Sequence, residues 1–355
     1  MKAVFVCLVL CAVAAATIIE HKVDTEENLR GLSVVSSTVA WASGTHGTFL
    51  RTVDSGSNWG IGHVSGAESL DFRDVEAFSS DEAILLAAGP GDQSRIYKTT
   101  DGGKNWTLLF TNKDPKGFFD CMAFWDENHG IAVGDPVDGK FQLIKTENGG
   151  KDWKAIPPAS LPPAIEGEGA FAASGTCIAT QGKKNVWFVT GGSAARVFRS
   201  KDAGESWEAV DTPIVHGPAS TGIFSVTFRD AKHGVIAGGD YKEPTKEAPS
   251  LAFSNDGGKS WKLSPLPSQH YFSAAAFDPS HRERIFAVGT AQYAAASSIR
   301  SKGWEVFVRP NRNPPGTPAE LNSIAVSREN SNRWVVGAKG AIFVIDDICE
   351  SCSKK

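Results

Sequence analysis

Acidic side chains in glycine- and proline-rich stretches are the residues of this chain that could carry out catalysis. Two carboxylates that face one cleft are sufficient for glycoside hydrolysis, one as the acid and the other as base or nucleophile. The candidates for such a pair are Asp120, Glu168 and Asp240. A sialidase-like enzyme would also need an arginine cluster and a tuned tyrosine nucleophile, and the chain has four tyrosines in all. No complete catalytic constellation is visible, so a sialidase- or xyloglucanase-like hydrolase is the alternative function.

Other catalytic signatures fail on inspection. Gly258-Lys259-Ser260 resembles a phosphate loop, but Phe253 stands where the loop needs a glycine. The sequence contains no Gly-x-Ser-x-Gly elbow, no His-Glu-x-x-His helix and no dinucleotide fingerprint. We therefore predict no cofactor and no metal site.

A larger set of side chains could bind a ligand without reacting with it. Several lie where an apolar strand begins, and others lie in the longest loops, such as the proline-stiffened stretch Ile156–Ser174. The competing interpretation is that these charges pair with one another or simply cap turns. The candidates are Arg73, Asp74, Glu76, Asp120, Asp135, Glu166, Glu168, Arg196, Asp240 and Tyr241.

A turn signature that occurs five times indicates which elements position these residues. It reads Ser/Thr-x-Asp/Asn-x-Gly-x-x-Trp, and each copy joins two short strands. The Asp or Asn accepts hydrogen bonds from its own turn, the Gly allows positive φ, and the Trp covers the hairpin. These structural positions are Asp54, Trp59, Asp101, Trp106, Asn148, Trp153, Asp202, Trp207, Asp256 and Trp261.

The turn belongs to a longer repeat in which the second strand ends in a glycine. These glycines are Gly44, Gly89, Gly134, Gly191, Gly238, Gly289 and Gly337. Their spacing of 45 to 57 residues is close to the roughly 40 to 50 residues of a β-propeller blade. The pattern predicts one all-β, seven-bladed propeller of four-stranded sheets over residues 17–346.

Two repeats depart from the rule. In the sixth, Ser301-Lys302-Gly303-Trp304 looks like a shortened turn, and the seventh stops before its outer strand. The alternating segment Ile18–Val23 has the right length to replace that strand. We predict that it closes the ring and removes two exposed sheet edges.

Both chain ends are set apart from the propeller. Residues 1–16 form an apolar run ending in Ala14-Ala15-Ala16, which is typical of a secretory signal peptide, and residues 347–355 form a polar tail. We therefore predict a secreted or lumenal protein without a membrane span.

The formal charge of −4, without a long basic run, argues against nucleic acid as partner. Oligomeric state is left open.

Four cysteines remain after the leader: Cys121, Cys177, Cys349 and Cys352. They allow three pairings, and the sequence does not choose among them. Cys349 and Cys352 lie in the polar tail without a second ligand pair, which favours a local disulfide or idle thiols over redox or metal chemistry.

The repeated turns of a propeller lie on one rim, here called the lower face. The loops between second and third strands, and those before each inner strand, then meet on the opposite upper face around the channel. The candidate binding residues are expected on that upper face.

The repeated turns are Asp-boxes, also called BNR repeats. With Phe224–Asp230, Gly238–Tyr241 and Gly167–Thr176, they make the chain resemble a secreted branch of the photosystem II stability/assembly factor-like propellers. Sialidases, xyloglucanases and sortilin are more distantly similar. The resemblance implies a non-enzymatic binding or assembly scaffold that recognises a protein or carbohydrate, and the photosystem partner itself is not carried over.

Overall fold

The computed structural model describes residues 17–264, 270–281, 284–290, 292–296, 304–307, 320–330 and 332–346. The predicted signal peptide, the tail with Cys349 and Cys352, and residues 301–303 of the shortened turn lie outside these ranges. In the described part, no helix is both long enough and apolar enough to cross a bilayer.

The described chain is built almost entirely of short strands. Two single turns of 3-10 helix occur at Gly91–Gln93 and Pro158–Ser160. The strands are β1 (Thr17–His21), β2 (Leu29–Val34), β3 (Ala40–Gly44), β4 (Thr48–Thr52), β5 (Gly60–His63), β6 (Phe72–Ala77), β7 (Ala83–Ala87), β8 (Arg95–Thr99), β9 (Thr107–Thr111), β10 (Phe119–Phe124), β11 (Gly130–Val137), β12 (Lys140–Thr146), β13 (Lys154–Ala155), β14 (Glu168–Gly169), β15 (Ile178–Gln181), β16 (Asn185–Val189), β17 (Gly191–Gly192), β18 (Arg196–Ser200), β19 (Glu208–Asp211), β20 (Thr221–Phe228), β21 (Gly234–Asp240), β22 (Leu251–Ser254), β23 (Lys262–Leu263), β24 (Ala274–Phe277), β25 (Ile285–Gly289), β26 (Gln292–Ala296), β27 (Trp304–Phe307), β28 (Leu321–Val326), β29 (Arg333–Gly337) and β30 (Ile342–Asp346).

The strands form an all-β propeller, but not a ring of seven four-stranded blades. In the described residues six sheets have four strands: β2–β5, β6–β9, β10–β13, β15-β16-β18-β19, β24–β27 and β28–β30 with β1. The remaining sheet has six strands, in the order β14-β17-β20-β21-β22-β23. The prediction of seven four-stranded blades is therefore wrong, because six blades have that form.

The two extra strands form because glycine lets backbones approach closely. Gly191 pairs with Gly222, and a Cβ on Gly191 would lie 2.6 Å from the carbonyl oxygen of Thr221. Glu168 and Gly169 then pair with Gly192 and Gly191. Such two-residue strands have no apolar alternation, so the strand pattern of the sequence does not reveal them.

The N-terminal strand β1 supplies the outer strand of the sheet that β28–β30 begin. It pairs antiparallel with β30, from Thr17 opposite Asp346 to His21 opposite Ile342. The predicted contribution of this segment to the last sheet is confirmed. The first and last described strands are therefore paired in one sheet, so the edges that they would otherwise expose to each other are hydrogen-bonded.

The second strand is deeply buried in most of the described four-stranded sheets, because neighbouring sheets cover both of its faces. All five residues of β3, β7, β25 and β29 are buried. Trp41, Trp187 and Trp334, on the second strands β3, β16 and β29, are among the largest fully buried side chains. This burial explains why the second strands are continuous apolar runs in the sequence.

The repeated turns have the hydrogen bonds expected from their residue types. In the first, Gly56 N donates to Thr52 Oγ1 (3.0 Å) and Asn58 N donates to Asp54 Oδ1 (2.9 Å). The same two bonds recur in the other four turns. Several of the tryptophans also pack between sheets, as Trp59 does against Trp334 with ring centroids 5.9 Å apart.

Acid should weaken these turns. The backbone N–H of Asn105, and then its side-chain amide, lower the pKa of Asp101 from 3.8 to about 2. A depressed carboxyl pKa stabilises the fold above the unfolded value and loses that contribution as pH falls through the folded value. Melting temperature should therefore drop between about pH 4 and 2, and less steeply in Asp101→Asn.

The third turn provides the precedent for that variant, since Asn148 Oδ1 already accepts the N–H of Asp152 (3.0 Å). Asp138→Asn is the control, because Asp138 is an exposed carboxylate outside the turns whose φ of 50° an asparagine tolerates. Thermal melts at several pH values measure the effect. The prediction would be contradicted if the melting temperatures of Asp101→Asn and Asp138→Asn had the same pH dependence.

One disulfide joins Cys121 of β10 to Cys177, which directly precedes β15. Both cysteines are fully buried and 56 residues apart in the chain. This resolves the pairing of the two described cysteines, which the sequence left open. The bond fastens the start of one sheet's inner strand to its neighbour.

Candidate functional site

The upper end of the central channel is occupied by residues 170–176, here called the plug. The plug follows β14 and makes hydrogen bonds to inner strands from all around the ring. Its partners are Arg73 Nη1 to Ala172 O (3.0 Å), Arg30 Nη1 to Ala173 O (3.4 Å), Ser174 Oγ to Ser273 O (3.0 Å), Ser323 Oγ to Ser174 O (3.2 Å) and Thr176 Oγ1 to Ser225 Oγ (2.9 Å). A loop expected to hold carboxylates over an open channel instead places backbone across it.

Below the plug the channel contains a cavity of about 550 Å³. Its upper end is lined by Ser174, Gly175 and Thr176, and its lower end by residues of the turns that follow inner strands, such as Arg229 and Arg328. The cavity is therefore approached from the lower face.

Glu168 forms a buried ion pair with Arg196. Its carboxylate accepts hydrogen bonds from Arg196 Nε (2.9 Å) and Nη2 (2.5 Å), Thr190 Oγ1 (2.6 Å) and Ile165 N (2.8 Å). The Glu168 side chain is 0% exposed. With these four donors the carboxylate is occupied, so this geometry anchors the loop and does not present a catalytic acid or base.

Asp120 and Asp135 lie beside the plug. Asp135 Oδ1 accepts the N–H of Ala170 (2.9 Å), and Asp120 is 1% exposed. Burial, followed by the nearby Asp135 carboxyl, raises the pKa of Asp120 well above its usual value, and burial also raises the pKa of Asp135. Both acids face the plug backbone, where they hold it in place.

Asp74 and Glu76 line the cavity from β6. Asp74 Oδ2 accepts the N–H of Met122 (2.7 Å), and burial, followed by Glu76, raises the pKa of Asp74 well above normal. Burial also raises the pKa of Glu76 to about 7, against the opposing effect of Arg328. The two carboxyls thus belong to the cavity and not to the upper surface.

Above the plug, two arginines lie beside a group of aromatic rings. Arg73 Nε donates to Asp71 Oδ2 (2.7 Å), and the half-buried Arg30 has a lowered pKa because of burial and then the charge of Arg73. Phe171 of the plug stacks on Phe224 at 4.0 Å between ring centroids. Tyr241, 46% exposed, lies beside these two rings at 6.5 and 6.1 Å.

Sequence reasoning included Arg73 and Tyr241 among the binding candidates but omitted Arg30, Phe171 and Phe224. Arg30 occupies the position in β2 that Arg73 occupies in β6, and that equivalence was the available signal. The Phe171–Phe224 stack joins residues 53 positions apart in the chain, and no local pattern indicates it.

The remaining candidates lie on separate loops. Asp240 Oδ1 accepts the N–H of Lys242 (2.9 Å), as expected of a turn residue. Glu166 is exposed at the tip of the proline-rich loop. The roles of these residues in binding stay predictions. In the described part of the chain no three His, Cys, Asp or Glu side chains converge as metal ligands.

Comparison with known proteins relates the chain to others through its fold. No protein-family model matches the sequence, and no curated protein matches it. Among solved structures, YCF48 from Cyanidioschyzon merolae is similar with 19% identity and a TM-score of 0.66, covering 94% of this chain and 99% of that one. A structure of YCF48 bound to D1 peptide has 15% identity and a TM-score of 0.63, covering 93% and 96%.

An enzyme has the same architecture. The GH74 enzyme of Niastella koreensis is 13% identical with a TM-score of 0.57, and the match covers 90% of this chain and 59% of the enzyme. At these identities the similarities establish a β-propeller, an architecture that serves both binding proteins and hydrolases.

Proposed function

We propose that this chain is a non-enzymatic β-propeller scaffold that binds a peptide segment of another protein on its upper face. The contact surface consists of Arg30, Arg73, Phe171 and Tyr241, here called the upper patch. The partner segment has an acidic side chain or a terminal carboxylate for the arginines and an apolar side chain for the rings.

The chemistry of the upper patch carries this proposal. Arg30 Nε is a buried donor without an acceptor among the described residues, and the Arg73 side chain is 31% exposed. Guanidinium groups bind carboxylates with paired hydrogen bonds, and tyrosine is enriched where proteins bind one another. Because the plug holds both arginines by backbone carbonyls, the patch is preorganised and loses little entropy on binding.

The structural comparison supports a peptide as the class of ligand. One similar propeller, YCF48, has been solved bound to D1 peptide. We transfer the class of ligand and not the D1 sequence, since the identity of 15% relates folds only.

Export and the Asp-box assignment belong to the same proposal. The apolar leader of residues 1–16 supports secretion, and a disulfide suits an oxidising compartment. The five turns, with their repeated Ser/Thr and Asp/Asn hydrogen bonds, support the Asp-box assignment.

The hydrolase alternative receives no support from its three candidate acids. Glu168 is saturated by Arg196, Thr190 Oγ1 and Ile165 N. Asp120 is buried against the plug, and Asp240 caps its own turn. Two carboxyls facing an open cleft are the arrangement that glycoside hydrolysis requires.

Peptide binding can be tested with an array of synthetic peptides that vary in acidic, C-terminal carboxylate and aromatic content. Tyr241→Ala and Arg73→Gln should each weaken the Kd of a selected peptide by about tenfold, as expected for a contact near the centre of an interface. Lys104→Gln and Lys151→Gln, in lower-face turns, are the controls and should leave Kd unchanged. Equal losses on both faces, or turnover of a β-glucan or sialoside by the purified protein, would refute the proposal.

A further inference from the structure

The cavity below the plug contains two charged groups that the proposed function does not use. Glu76 projects from β6 into the cavity, and Arg328 lines its lower mouth. In the described structure neither side chain forms a hydrogen bond or an ion pair, and the two do not pair with each other. They do interact electrostatically, because Arg328 acts to lower the pKa of Glu76.

The other charges around the mouth already have partners. Arg229 Nε lies 3.4 Å from Asp230 Oδ2, and Asp278 Oδ2 lies 3.5 Å from Arg284 Nη1. At the upper end, Asp74 Oδ2 accepts the N–H of Met122. One carboxylate inside and one guanidinium at the mouth are therefore left to meet a ligand.

Apolar side chains line the cavity along with these polar groups. Leu32, Ile178, Val226 and Ile324 belong to inner strands of four different sheets. These side chains can contact the methylene groups of a ligand whose charged ends bind the polar groups of the cavity. A volume of about 550 Å³ is within the range of small-molecule sites.

We propose that this cavity binds a small zwitterion with an apolar spacer, an ω-amino acid, entering from the lower face. Its ammonium group binds Glu76, and its carboxylate binds Arg328 at the mouth. Burying the Glu76 carboxylate is costly without a cation, and the ligand's ammonium removes that cost. The methylene spacer contacts the apolar wall between the two charges.

The site is independent of the peptide proposal. The upper patch and the mouth of the cavity lie on opposite faces, with the plug between them. Failure of peptide binding would leave the cavity proposal intact, and the reverse also holds.

Calorimetric titration of the full-length mature protein tests the proposal with γ-aminobutyrate, ε-aminocaproate and ω-aminocaprylate. n-Butylammonium and butyrate, each with one of the two charges, are the matched ligands and should bind more weakly than the best zwitterion. Since ammonium binding favours ionised Glu76, complex formation should release protons below about pH 7, seen as a dependence on buffer ionisation enthalpy.

Two variants assign the charges. Glu76→Gln should weaken zwitterion binding by about tenfold or more. Arg328→Gln should weaken zwitterion binding several-fold without a comparable loss of n-butylammonium binding. Asp138→Asn is the control for nonspecific attraction of amines, because Asp138 is an exposed carboxylate on the upper face.

Any of the following three results would overturn the proposal. No heat with any zwitterion at about 10 mM, in buffers of different ionisation enthalpy, would exclude even weak binding. Equal loss in Glu76→Gln and Asp138→Asn would place the amine elsewhere. Unchanged zwitterion affinity in Arg328→Gln would remove the carboxylate contact, and that exposed residue can be tested even if Glu76→Gln fails to fold.

Discussion

Glu168→Ala is expected to lower the free energy of unfolding by about 3 to 5 kcal/mol, the usual cost of leaving one member of a buried ion pair alone. Arg196 would keep its charge with a side chain that is 10% exposed. Thr190 Oγ1 and Ile165 N would also lose their acceptor. Urea unfolding followed by tryptophan fluorescence measures the change.

The same loop offers a matched control. Glu166, two residues earlier, is exposed, and Glu166→Ala should change stability by less than about 0.5 kcal/mol. The double change of Glu168→Leu with Arg196→Met should recover part of the loss, because it removes both charges together. Similar stabilities for Glu168→Ala and Glu166→Ala would show that the pair does not anchor the loop.

Deleting residues 17–24 is expected to cause the second large effect, a loss on the order of 5 kcal/mol, if each of the lost strand hydrogen bonds contributes about 1 kcal/mol. The deletion removes all five residue pairs between β1 and β30. It also uncovers Trp334, against which His21 stacks at 6.3 Å. Thermal unfolding should show a sharply lower melting temperature, and the exposed edge of β30 should promote aggregation.

A strand supplied in trans separates closure from general damage. A synthetic peptide of residues 17–24 should raise the melting temperature of the truncated protein, as a strand added to a free edge would. Ile19→Thr is the mild control, because Ile19 is 44% exposed and threonine is compatible with a strand. An unchanged melting curve after the deletion would mean that β1 contributes nothing to closure.

Local chemistry explains why so much of the fold was predictable. The turn between β4 and β5 depends on Thr52, Asp54 and Gly56, all within five positions, and its hydrogen bonds follow from those residue types. Covered second strands such as β7 are apolar throughout because both faces are buried. The place of β1 followed from counting strands, since the last repeat ended one strand short.

The candidate site was predicted less well, for the opposite reason. Arg73 and Asp74 were placed correctly at the start of an inner strand. The plug residue that binds the Arg73 side chain, Ala172, lies 99 positions away in the chain. Glu168 looked like an exposed acid on a stiff loop, whereas Arg196, 28 residues later, neutralises it. Charge partners of this kind depend on which loops meet across the ring.

Amino-acid order alone was enough to indicate an all-β propeller, its turn chemistry and its closing strand, because each rests on contacts between near neighbours or on a repeated count. Tertiary structure decided the six-stranded sheet, the Cys121–Cys177 bond and the blocked upper end of the channel. These features rest on contacts such as Arg30 with Ala173, 143 positions apart. Such contacts form only when distant parts of the chain fold together, so no local pattern in the sequence indicates them.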